Sequence, residues 1–303
     1  MTKTIAVCNQ KGGVGKTTTS VNLGASLALT GARVLLVDLD PQANATGGLG
    51  IDKKSVANTI YQLLFARIRA DQAALSTKVQ NLSLIPSQVA LSGAEIEMVG
   101  LPRREERLKA ALEPIKGSYD LILIDAPPSL GLLTINALTA ADAVLIPLQC
   151  EYYALEGLSQ LLETIRLVQG ALNPSLEIEG VILTMADFRT KLTSDVIREV
   201  RQFFGSKAYD FVVPRSVRIS EAPSHGLPIN LYDPSSPGAQ IYQLLAEKVK
   251  ENLHVREQRV GQGDTGSHSG AASPEPVSKE IGGTSPGTDS GDPGQSVPAS
   301  KES

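Results

Sequence analysis

The 303-residue sequence has no tryptophan, and aromatic residues of all kinds make up only 4% of it. Its core must therefore be built from aliphatic side chains and alanine, which suits layered α/β packing better than a β-sandwich. Two cysteines, Cys8 and Cys150, are too few for a disulfide framework or for clustered iron–sulfur ligands. No apolar run approaches the roughly 20 residues of a membrane-spanning helix. The opening Met1–Val7 runs directly into a glycine-rich turn without a signal-peptide apolar region, so a cytoplasmic protein is expected. Charge of one sign is also scarce: 28 basic against 32 acidic residues leave a formal −4, a sum that is silent about local patches.

Large aliphatics are almost missing from one stretch. Arg256–Ser303 is 48 residues long, 23 of them Gly, Ser or Pro, and only Val260, Val277, Ile281 and Val297 are large and aliphatic. Such a segment buries too little apolar surface to offset its conformational entropy. The expected organisation is one domain over residues 1–255 and a disordered tail over 256–303. The tail carries four basic and seven acidic residues, so the body is close to −1.

Within the body, short β-rich runs alternate with helical patterns. Buried strands are expected at Thr4–Cys8, Val34–Asp38, Leu82–Pro86, Leu121–Asp125, Ala143–Leu148, Ile178–Thr184 and Phe211–Val213. Most lack two-residue alternation, as parallel strands covered on both faces do. Helices are expected at Thr17–Leu29, Thr59–Phe65, Leu155–Val168 and Ser194–Phe204, with a last one from about Ser236 to Leu253. The fold class is a single doubly wound, mostly parallel α/β sheet.

Chemistry concentrates in Gln10-Lys11-Gly12-Gly13-Val14-Gly15-Lys16-Thr17-Thr18, between a strand and a helix. Glycines let backbone N–H groups approach an anion, and the helix N-terminus adds its positive end. Lys16 suits β- and γ-phosphates, and the Thr17 hydroxyl suits Mg²⁺. Two strands end in carboxylates. Val34–Asp38 leads into Asp40, suited to orienting an attacking water with Asp38 in support. Leu121–Asp125 places four aliphatics before Asp125, a pattern that holds Mg²⁺ in phosphate-loop enzymes.

The loop departs from the common G-x-x-x-x-G-K-[ST] pattern, with Gln10 at the first glycine and an added Lys11. It resembles the deviant Walker A motif. With Val37–Thr46, Asp125–Ser129, Cys150–Gly157, Pro214–Arg218 and Ser220–Gly226, the resemblance extends over about 250 residues to the ParA/Soj family of chromosome-partitioning ATPases. The loop's start at residue 11 matches the short, chromosomal type. The resemblance implies ATP and Mg²⁺ as cofactors and a homodimer that sandwiches two nucleotides. That dimer binds double-stranded DNA without sequence preference, and a ParB-type centromere-binding protein stimulates hydrolysis. It also extends to the replication initiator as a further partner, a role that none of these residues carries. By position, Lys11 is the lysine that reaches the partner's phosphates. Gly12 is the dimer-contact glycine, Lys16 the phosphate lysine and Asp40 the hydrolysis carboxylate. Pro214, Arg215 and Val217 flank the adenine, although Ser216 replaces a common Asn. Arg189 and Arg218 contact DNA, which would associate the protein with the nucleoid.

Local charge supports that last expectation. Between Arg189 and Arg218 there are seven basic and three acidic residues; Phe203, Phe204, Tyr209 and Phe211 fall in the same stretch, but stacking of single-stranded bases is not the expectation. Phosphate contacts are expected instead. Three relatives of the loop fit less well. A membrane-bound MinD-like ATPase needs a basic amphipathic C-terminus. An iron–sulfur carrier needs more cysteines. A dethiobiotin-synthetase-like ligase predicts turnover insensitive to DNA.

Overall fold

The computed structural model describes residues 2–151 and 154–261. One eight-stranded sheet organises it: β1 (Lys3–Val7), β2 (Val34–Asp38), β3 (Leu75–Ser76), β4 (Leu82–Ile85), β5 (Leu121–Asp125), β6 (Ala143–Gln149), β7 (Glu177–Ala186) and β8 (Ala208–Pro214). Their order is β3-β4-β2-β5-β1-β6-β7-β8. All neighbours are parallel except β3 and β4.

The central strands are buried on both faces, so successive side chains feed two different cores. Ile5, Val7, Leu36, Leu121 and Leu123 enter one; Ala6, Leu35, Val37, Ile122 and Ile124 enter the other. This explains why these segments read as continuous apolar runs. All seven expected strands form. The two-residue antiparallel β3 was not among them, because it is too short to show a period.

Helix Lys16–Leu29 lies on the first core and packs against helix Pro237–Gly261, so it is buried nearly all round. Gly24 faces the sheet, where a Cβ would make ordinary contacts with Leu123 and Leu82 at 3.4 and 3.5 Å. Helix Leu132–Ala140, unforeseen in the sequence, is also buried on most sides, its Thr134, Asn136 and Thr139 included. The last helix runs to Gly261, past the expected end near Leu253. The rest of the expected tail, and Tyr152 and Tyr153 of the quoted motif, lie outside the described residues. Among the described residues no helix is long and apolar enough to cross a membrane.

Candidate functional site

The loop between β1 and helix Lys16–Leu29 sits at the C-terminal edge of the sheet, where open α/β folds place ligands. Gly13 and Gly15 take left-handed backbone angles, φ 75° and 89°, which turn successive N–H groups toward one centre. Side chains from distant strands hold that shape. Asn9 donates to the Pro147 carbonyl at 2.7 Å and accepts from the Lys11 N–H at 3.0 Å. The Thr184 hydroxyl donates to the Val14 carbonyl at 2.8 Å. No local pattern announces Thr184, which lies 170 residues away.

The two loop lysines behave differently. Lys16 is buried, and its Nζ donates to the Lys11 carbonyl at 2.9 Å. Burial lowers its pKa, opposed chiefly by the field of Asp125. Lys11 turns outward to an ion pair with Glu151 at 2.7 Å, with 39% and 45% of the two side chains exposed.

Asp125, fully buried, accepts from Ser20 Oγ at 2.8 Å, and the Thr17 side chain also stabilises its charged form. Its Oδ2 is buried with no partner. Burial, reinforced by the nearby Asp38, pushes its pKa up to about 7. An orphaned carboxylate oxygen beside a threonine is a donor set that fits a hard divalent cation. Asp38 lies opposite Asp125 in the β2–β5 register. It does not reach the loop centre. It accepts from Thr46 N–H and Oγ1 at 2.8 and 2.7 Å and from Asp40 N–H at 3.2 Å. Burial raises its pKa to about 6. Asp38 is therefore a structural anchor for the turn that carries Asp40. Asp40 itself accepts only from Gln42 N–H at 2.9 Å among the hydrogen bonds found and keeps a small exposure of 7%.

Pro214 ends β8, and Arg215 and Val217 follow it at the same edge, both exposed. Ser216 caps the short helix Val217–Glu221, a task Ser and Asn perform equally well. Arg189 follows the neighbouring β7. It pairs with Asp187, which the guanidinium of Arg189 and then the field of Arg215 hold down to about 2. Arg218 lies 3.4 Å from Glu221 and 3.5 Å from Asp233.

These contacts divide the basic stretch. The window from 189 to 218 stops just short of Asp187, Glu221 and Asp233; across 187–233 the balance is seven basic against six acidic residues. Lys207 bonds the Ile178 carbonyl at the opposite edge of the sheet, and Arg198 pairs with Asp195 on its own helix. Arg189, Lys191, Arg215 and Arg218 follow the C-terminal ends of β7 and β8, the edge that carries the loop.

Known proteins fit this geometry. A family model described as an AAA domain matches residues 2–178. Sporulation initiation inhibitor protein Soj of Bacillus subtilis is 62% identical over 252 residues, covering 83% of this chain and 100% of the relative. Chromosome partitioning protein ParA of Caulobacter vibrioides is 53% identical over 249 residues, covering 82% and 93%. The chain belongs to the ParA/Soj family of chromosome-partitioning ATPases. The fold of this ParA/Soj chain also matches a solved structure of cobyrinic acid a,c-diamide synthase from Mycobacterium smegmatis with bound ADP and magnesium. That match has a TM-score of 0.74 and 37% identity, covering 86% of this chain and 97% of the other. The family's enzymatic activity is ATP hydrolysis, and this chain is an ATPase by membership.

Proposed function

We propose that this ParA/Soj-family chain is a partitioning switch, closed into a homodimer by ATP and Mg²⁺ and reopened by hydrolysis. The observation that carries the reading is the divergence of the two loop lysines. Lys16 is folded inward over the loop, suited to its own chain's β- and γ-phosphates. Lys11 points away from that centre and suits phosphates offered by a second subunit. Mg²⁺, held by Thr17 and Asp125, neutralises charge on the phosphates when bound. The backbone of Gly12, Gly13, Val14, Gly15 and Thr18 lines the phosphate cradle. Pro214, Arg215 and Val217 border the base. Asp40, anchored through Asp38, orients the water that attacks the γ-phosphorus as the bond to ADP breaks.

In the dimer, Arg189 and Arg218 meet duplex DNA through phosphates. A monomer offers few such contacts and a dimer doubles them, which couples nucleotide state to DNA binding. A ParB-type partner accelerates hydrolysis and thereby release, the replication initiator is a second target, and the protein works on the nucleoid in the cytoplasm. The ATPase body extends through the last helix to Gly261, six residues past the boundary of 255 expected from composition.

Asp40→Ala tests the chemistry. Sedimentation with ATP should still give a dimer, while phosphate release in the presence of DNA and the ParB-type partner falls by about 100-fold or more. Normal release by this variant would refute the role of Asp40. Lys16→Ala should lose nucleotide binding altogether.

A further inference from the structure

The proposed switch leaves Glu151 without a role, yet its position is well defined. It follows β6, and its two carboxylate oxygens are divided. Oε2 takes the Lys11 ammonium at 2.7 Å, and Oε1 accepts from the Gln149 side chain. The Lys11 main chain is fixed as well, by Asn9 at its N–H and by Lys16 at its carbonyl. The lysine meant for a second subunit is therefore held, in the single chain, by a carboxylate of its own subunit.

We propose that Glu151 is a positioning residue that restrains Lys11 in the monomer and so sets the threshold for dimer formation. The inference rests on the reading of Lys11 as the lysine that crosses to the partner. Its physical basis is competition. The ammonium cannot stay in contact with Glu151 and also reach phosphates across an interface. Each subunit must give up its ion pair before the sandwich closes. The same loop contains the trigger. Lys16 donates to the Lys11 carbonyl, a bond it gives up on turning to phosphates. The backbone carrying Lys11 is then free to shift as the nucleotide site fills.

The size of the effect follows from exposure and symmetry. Both side chains are between a third and a half exposed, and such pairs contribute little, typically a factor of about 3 in an equilibrium constant. A two-fold dimer breaks two of them. The restraint is therefore squared, to about tenfold in the dimer dissociation constant.

The experiment measures dimerisation of the full chain by analytical ultracentrifugation, with a non-hydrolysable ATP analogue and Mg²⁺. Glu151→Gln keeps the shape and removes the charge. It should dimerise at about tenfold lower protein concentration than wild type, with the nucleotide-free thermal midpoint unchanged. Without nucleotide, Lys11 of Glu151→Gln should acylate several-fold faster than wild type, read by peptide mass spectrometry. An unchanged or weakened dimer in Glu151→Gln, with Lys11 labelling unaltered, overturns the restraint alone, provided Lys11→Ala still abolishes dimerisation. If Lys11→Ala dimerises like wild type, the crossing lysine itself is wrong, and the restraint falls with it.

Discussion

Asp125 shows how a single carboxylate can be costly to the fold and still belong to it. It ends a strand of five buried residues, and half of it is hydrogen-bonded to Ser20 while Oδ2 has no partner. Its folded pKa is raised, from 3.8 to about 7. A raised acid binds more protons folded than unfolded, so its stability contribution is complete below about 4 and disappears as pH rises through about 7. At pH 8 the charged form costs the nucleotide-free protein a few kcal/mol, because each tenfold gain in proton affinity on folding corresponds to about 1.4 kcal/mol. Asp125→Asn should therefore raise the urea midpoint of nucleotide-free, magnesium-free protein at pH 8. The gain should shrink to nothing by pH 4. Parallel curves for the two proteins across that range would show that the site carries no such electrostatic load. The cost makes sense where a cation compensates it on arrival.

At the level of elements, the turn from β2 to Thr46 is the clearest case of chemistry held by structure. Asp38 gathers the Thr46 hydroxyl and N–H, and Thr46 Oγ1 accepts in turn from Ser87 N–H at 3.0 Å. Removing the hydroxyl leaves a buried carboxylate and a buried N–H each short of a partner. Thr46→Val should cost about 2–4 kcal/mol in urea unfolding, and should slow hydrolysis by displacing Asp40. Full stability in this variant would mean that water had replaced the hydroxyl.

The same elements explain what was legible in the sequence. The central strands were readable because burial on both faces forces unbroken aliphatic runs. Lys11–Thr18 was readable because every group of the loop is local. Helix Leu132–Ala140 was not, since an element buried on most sides, with polar residues among those buried, has no amphipathic period to detect. The partners of the loop, Thr184 and Glu151, were hidden for another reason. They are brought to it by sheet order, which spacing does not encode. Local charge counting misjudged the basic stretch for a related reason. The acids that pair with Arg189 and Arg218 lie just outside the window, or across a turn.

For the whole molecule, Arg189 and Arg218, beyond the adjacent ends of β7 and β8, carry the DNA expectation. Each phosphate contact lowers the slope of log affinity against log salt by about 0.9. Arg218→Ala, present twice in a dimer, should therefore make that slope shallower by about 2 and weaken binding equally for duplexes of unrelated sequence. The measurement is fluorescence anisotropy across a salt series with the dimer confirmed by sedimentation. A loss confined to one sequence would point to base reading instead.

The position of β1 also bears on how the chain is made. It is the first strand synthesised, yet both of its neighbours, β5 and β6, come more than a hundred residues later. The loop that follows it gains Thr184 later still, and helix Lys16–Leu29 receives its bonds from Ile229 N–H to Asn22 and from Asn230 to Ser26 after that. At about 5–20 residues per second, the interval between making the loop and tying it down is on the order of ten seconds or more. A ribosome-bound chain therefore carries a finished motif without a finished site. Fragments ending before β7 should have the whole signature and hold no nucleotide.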